Sequence, residues 1–190
     1  APMLKANAAR TAREKAALAA TRSAAEALDW YRKAAELVPE DFRTQVELSR
    51  LCAITGDTPS ALTAGEAALA AADTERDRSV ALNEIGDVRV AQGDLAAALA
   101  SFEASLAIFE RLAGADASNA GLQRDLSVSH ERIGDLREAR DDVAGAVEAY
   151  EASLAIAQPL AERLPDHPQF RSDLEITLRR LAELRAKAAG

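Results

Sequence analysis

The chain has 190 residues, a formal net charge of −8 and a pI near 4.9. That surplus of acid excludes nucleic-acid phosphate as a partner, since phosphate needs clustered lysine and arginine. Hydrophobic residues make up 48% of the chain but aromatics only 4%, which favours many small-residue helix contacts over one aromatic core.

A lone cysteine, Cys52, excludes an internal disulfide framework and points to a reducing, cytoplasmic setting. No apolar run approaches the roughly 18 residues of a membrane span, and the opening APMLKANAAR lacks a signal-peptide hydrophobic region. The start at Ala-Pro-Met, with no initiator methionine, reads as a piece of something larger.

From Leu4 to about Thr21 an alanine-rich stretch predicts a first helix with a weak apolar stripe. Ser23 caps a second helix to Leu37, with Leu28, Tyr31, Ala34 and Ala35 on one face and Pro39 beyond its end. Trp30 on this helix reads as packing. Asp41 opens a third helix through Ile54, ended by the left-handed cap of Gly56. Thr58 reads as the cap of a short fourth helix to Ala72, with Pro59 in its first turn.

Thr74, with Asp77 three residues on, predicts a capping box and a fifth helix to Gln92. Gly93 breaks it and Asp94 caps a sixth, which runs to Leu112. A seventh covers 120–140, and Asp141-Asp142 turn into an eighth from Val143 toward Arg163. Pro159 lies inside that pattern, so a kink or early stop is expected. Pro168 suits the first position of a ninth helix carrying Leu174, Leu178, Leu181 and Leu184.

Residues 79–126 are repeated over 127–174, at a spacing of 48. Ile85-Gly86-Asp87 falls on Ile133-Gly134-Asp135, and Glu103 to Ile108 falls on Glu151 to Ile156. A period of this length marks a solenoid whose units bury their apolar faces only by stacking. Small residues recur where paired helices must approach (Gly86 and Gly134, Ala98 and Ala146), and large ones recur between them (Ile85 and Ile133, Phe102 and Tyr150). No period-two run of β-branched residues appears, so the fold class is all-α.

The hydrophobic-glycine pairs Ile85-Gly86 and Ile133-Gly134, the Gly-Asp turns Gly56-Asp57 and Gly93-Asp94, the small residues Ala27, Ala61, Ala98 and Ala146, and the aromatics Tyr31, Phe102 and Tyr150 resemble the tetratricopeptide repeat (TPR). The 48-residue spacing resembles its long-helix variants, of bacterial type. Gly65 replaces one aromatic and Asp141 the turn glycine. The resemblance implies a right-handed superhelical solenoid of TPR-like hairpins, about nine helices in all. It forms a single array over 1–190, with hairpins at 4–37, 41–72, 75–112 and 120–163 and a terminal helix at 168–188.

The resemblance also implies that the first helix of each hairpin lines a concave groove. The faces turned to it are Arg43, Val46 and Arg50 on the third helix, Asn83 and Asp87 on the fifth, Glu131, Asp135 and Glu138 on the seventh, and Arg179 on the ninth. The expectation is a non-catalytic scaffold that binds a protein or peptide segment. Asn83 holds the partner's backbone, and the central acids hold its basic side chains. A regulatory or self-association domain of a larger signalling protein is the alternative. Association of copies through the N-terminal hairpin is a further expectation, since the first helix has no polar coat.

A chaperone-tail carboxylate clamp is not expected, because of the five clamp places, held here by Val46, Arg50, Glu84, Val128 and Arg132, only Arg132 agrees. No metal or cofactor is expected: His130 and His167 have no ligand spacing, Cys52 reads as a buried thiol, and no nucleophile or phosphate-loop motif is present.

Overall fold

The computed structural model describes residues 2–189. Among them are nine α-helices and no strand: α1 (Pro2–Ala20), α2 (Ala24–Leu37), α3 (Phe42–Ile54), α4 (Thr58–Ala70), α5 (Glu75–Ala91), α6 (Leu95–Ala115), α7 (Ala120–Ala139), α8 (Val143–Arg163) and α9 (Pro168–Ala189). Ala1–Ser101 and Phe102–Gly190 form two compact units, the boundary falling within α6.

Side chains start most of these helices. Ser23, Asp41, Thr74 and Asn119 accept from the amide three residues ahead, at 3.3, 3.0, 3.0 and 3.2 Å. Each such cap satisfies a donor that the helix itself leaves unpaired and is worth about 1 kcal/mol. The expected capping box is present with a change: the Thr74 hydroxyl donates to Asp77 Oδ2 at 2.7 Å. Aspartate is one methylene shorter than the usual glutamate, and it meets the cap's hydroxyl.

The turns between α3 and α4, α5 and α6, and α7 and α8 are built alike. Gly56, Gly93 and Asp141 hold φ of 83°, 79° and 63°. The amides of Asp57, Asp94 and Asp142 then return to Cys52, Arg89 and Arg137 carbonyls, each at 2.9 Å, which closes the preceding helix. The same three aspartates cap the next helix, on the amides of Ser60, Ala97 and Gly145. Asp57 therefore does the work expected of Thr58, which lies one position inside α4.

Two other boundaries differ from expectation. Helix α6 continues through Gly114 to Ala115, because an isolated glycine in helical geometry lowers stability without forcing a stop. Helix α8 does not stop at Pro159. Just beyond the proline, Leu160 and Ala161 pack on Phe170, and this burial outweighs one missing backbone hydrogen bond.

In the first unit α1 packs on α2 and α3 on α4. Ala16, Ala19, Ala27, Leu28, Tyr31, Leu51, Cys52, Ala61 and Val88 form one core cluster, and Val46, Ala68 and Ala81 another. Trp30 is half-buried, with Lys15 Nζ 4.5 Å from its ring centroid, a packing and cation–π role. Cys52 is 1% exposed, and burial raises its thiol pKa.

In the second unit α7 packs on α8 and α8 on α9. Ala146, Tyr150, Leu181 and Leu184 form its central cluster. Tyr150 is 2% exposed, and an ideal Cβ on Gly134 would stand 2.6 Å from its ring. Only glycine lets α7 come this close.

Candidate functional site

In the first unit, arginine–carboxylate pairs link successive first helices. Arg13 Nη1 on α1 donates to both oxygens of Asp41, at 2.9 and 2.7 Å, and Arg50 Nη2 on α3 donates to Glu84 Oε1 on α5 at 2.6 Å. The hydrogen bond to Glu84 holds the Arg50 pKa above its ordinary value. Arg50 also meets Glu47 at 3.1 Å, so its charge is already shared between two carboxylates.

Arg43 is exposed, with no ion pair among the described residues. It lines a cleft of about 530 Å³ with Arg10, Arg13, Tyr31, Phe42 and Glu47. Val46, expected on the groove face, is 5% exposed and packs mainly on Ala68 and Ala81.

Asn83, on α5, is half-buried. Its side-chain oxygen, Oδ1, is buried and has no hydrogen-bond partner among the described residues. An amide oxygen in that condition costs about 1–3 kcal/mol of desolvation with nothing in return. Asp87, one turn further along, is exposed.

In the second unit the predicted acids are engaged within the chain. Glu131 accepts from Ser153 Oγ at 3.1 Å and from Thr177 Oγ1, and burial raises its pKa. Asp135 accepts from the Tyr150 hydroxyl at 2.6 Å and from Arg180 Nη2 at 3.0 Å. Glu138 accepts from Arg180 at 2.6 Å and from Lys187 at 3.4 Å. Burial works against ionisation of Glu138, yet these two cations hold its pKa below the ordinary value. Arg179 is exposed, and Arg124 pairs with Asp173 at 2.6 Å.

Sequence reasoning placed Arg43, Asn83, Asp135 and Glu138 on first-helix faces but missed Arg180, which organises two of the acids. In the 48-residue register Arg180 follows Glu84 and Arg132, and nothing in that series singles it out. Arg10 of the cleft carried no pattern beyond helical spacing, and Tyr31 stood out only as the recurring aromatic of its hairpin.

His130 is half-buried, and burial lowers its pKa. His167 stacks on Phe170 with ring centroids 4.0 Å apart. Among the described residues no group of three or more His, Cys, Asp or Glu side chains could hold a metal ion. Among the described residues no helix is long and apolar enough to cross a membrane.

Antiparallel helix pairs, glycine or aspartate in left-handed turns and a 48-residue register define a helical-hairpin repeat protein. Residues 77–158 match the tetratricopeptide repeat family, so this segment consists of tetratricopeptide repeats. The apo form of RapI superposes with a TM-score of 0.76 at 17% identity over 95% of this chain, which spans 64% of the RapI chain. MamA superposes with a TM-score of 0.59 at 14% identity, over 97% of this chain and 95% of its own. A MamA structure from Desulfovibrio magneticus RS-1, covering residue 41 to its end, gives 0.59 at 18% identity, over 94% of this chain and 96% of its own. At such identities the likeness is one of fold. No curated protein matches the chain.

Proposed function

We propose that the chain binds an extended or helical segment of a partner protein along the faces of its first helices, as a non-catalytic scaffold. The observation that carries this reading is the exposed Arg43 beside the cleft of the first helices; Asn83, whose Oδ1 has no partner among the described residues, accepts from a partner's backbone amide once its side chain turns outward. The cleft lined by Arg43 and Arg10 supports it with about 530 Å³ of space and two arginines without ion pairs among the described residues. That cleft suits a partner carboxylate. In the second unit, a basic partner side chain competes with Arg180 and Lys187 for Asp135 and Glu138.

The test is selection of peptides from a displayed library on the full chain, followed by titration of the winners against variants. Asn83→Ala and Arg43→Glu each weaken binding about tenfold, the scale of a lost buried hydrogen bond or ion pair. Peptides that bind both variants as tightly as the parent sink the reading.

Association through the N-terminal hairpin is a second reading, supported by Met3, Leu4 and Leu18 of α1, which are 80%, 71% and 60% exposed. Leu4→Glu with Leu18→Glu tests it, since loss of self-association in that variant is what it requires.

A further inference from the structure

Two residues of the first unit depart from the repeat, and they meet in one cleft. Ala35, Leu69, Leu106 and Leu154 each lie eight residues past the small residue of a second helix, Ala27, Ala61, Ala98 or Ala146. Cys52, Arg89 and Arg137 each lie four residues before the turn residue, Gly56, Gly93 or Asp141. Where the other hairpins have leucine and arginine, α2 and α3 have alanine and cysteine.

The larger side chains have definite tasks elsewhere. Leu154 of α8 packs on the cluster of Tyr150 and Leu181, and Leu181, 48 residues past Ile133, has in α9 the place of Leu48 in α3. Arg89 Nη1 donates to the Ala97 carbonyl and Arg137 Nη1 to the Gly145 carbonyl, both at 3.1 Å. The corresponding carbonyl in α4 is that of Ser60, four residues past Gly56. Ala35, Leu48, Cys52 and Ser60 all line a cleft of about 570 Å³, with Ala64 and Ala67 on its α4 wall. That volume is within the range of ligand-binding clefts. Floor and walls come from α2, α3 and α4, so neither end of the chain forms a side of it.

The rim is acidic on balance. Glu36 lines the cleft, is exposed and forms no ion pair among the described residues. Burial raises the Cys52 pKa, and Arg32, lying against the thiol, works the other way. Arg32 also reaches Asp57 Oδ2 at 3.5 Å, with side chains 48% and 39% exposed, a contact of little worth that exchanges readily. Two carboxylates thus stand against one guanidinium. We infer that this cleft docks a segment of a partner protein that presents an arginine beside an aliphatic residue. The aliphatic side chain takes on Ala35 and Leu48 the place that leucine fills in the other hairpins. The arginine takes the place of Arg89 and Arg137 at the Ser60 carbonyl, with Glu36 and Asp57 as its counter-charges. The site shares no residue with the cleft of Arg10 and Arg43, so the two are tested apart.

A displayed library of random peptides is selected on the full chain and depleted on Ala35→Leu, in which the repeat's own leucine fills the cleft. Glu36→Lys, at an exposed position, serves as the depleting variant if Ala35→Leu melts below the parent. The surviving peptides should carry an arginine or lysine within a helical turn of a leucine, isoleucine or valine. In fluorescence titrations they should bind Ala35→Leu and Glu36→Lys each about tenfold more weakly than the parent, and Arg43→Glu as tightly as the parent. Depletion that removes every binder overturns the inference, as do survivors without that cation. Survivors weakened by Arg43→Glu but not by Glu36→Lys overturn it too, while leaving the first-helix reading of the proposed function intact.

Discussion

Arg180 Nη2 lies 3.0 Å from Asp135 Oδ1, so an acid of α7 takes its cation from α9 of the same chain. The same guanidinium reaches Glu138, Glu183 and the Tyr150 hydroxyl. Its hydrogen bonds, those with Tyr150 and Asp135 foremost, raise its own pKa. Burial, followed by the bond to Asp135, raises that of Tyr150. Arg180→Ala removes the shared cation and leaves Asp135 and Glu138 facing one another. The expected cost is about 1–2 kcal/mol, more than one exposed ion pair because several bonds are lost together. Urea unfolding should show a lower midpoint with an unchanged slope.

Two glycines in helices should respond in opposite senses to alanine. At Gly134 the new Cβ stands 2.6 Å from Tyr150 Cδ2 and 2.7 Å from Cε2. The ring is fixed by burial and by its bond to Asp135, so overpacking of about 1–3 kcal/mol exceeds the gain in helix propensity. At Gly114 a Cβ meets nothing within 4 Å, so Gly114→Ala stabilises by about 0.5–1 kcal/mol. Thermal melts of the two variants should move in opposite directions.

The contrast also shows what the sequence makes legible. The all-α class, the helix order and most caps follow from local chemistry: a side-chain acceptor before a helix, a glycine after one, a register of 48. Gly134 against Tyr150 was legible because small and large residues alternate in both copies. The internal use of Asp135 and Glu138 was not, because Arg180 is 45 and 42 residues away and surface arginines on a terminal helix are common. Periodicity places a carboxylate on a face but does not say which cation reaches it first. The helix continuing past Pro159 was hidden for a related reason: tertiary burial of Leu160 and Ala161 overrides a local breaker.

Asp141 occupies the place of Gly93 in the repeat, 48 residues on, and holds the same left-handed backbone at φ 63°. Aspartate tolerates that region better than most residues but less well than glycine. Its side chain is exposed, and the cap function belongs to Asp142, so little is lost on removing it. Asp141→Gly is expected to stabilise by about 0.5–1 kcal/mol, relief of backbone strain exceeding the added freedom of the unfolded chain. The reverse change, Gly93→Asp, should destabilise by a similar amount. Chemical denaturation of both variants checks the pair, and equal signs would contradict the account.

Glu131 makes stability depend on pH in a direction opposite to an ion-paired acid. Burial raises its pKa above the ordinary 4.5, against the lowering effect of the Thr177 and Ser153 hydroxyls. Below the ordinary value both the folded and unfolded chains carry this carboxyl protonated, and it contributes no slope. As pH rises past that value the unfolded chain releases the proton first, while the folded chain holds it until its raised pKa is passed. The folded state thus binds more protons in that window, and stability falls as pH increases. Glu131→Gln keeps an acceptor for the two hydroxyls but has no proton to lose. The stability of Glu131→Gln relative to the parent should therefore rise from about pH 4.5 toward neutrality and then level off. Subtracting the two unfolding curves at each pH cancels the other titrating groups. A flat or falling difference would show that Glu131 ionises in the folded chain as readily as in water.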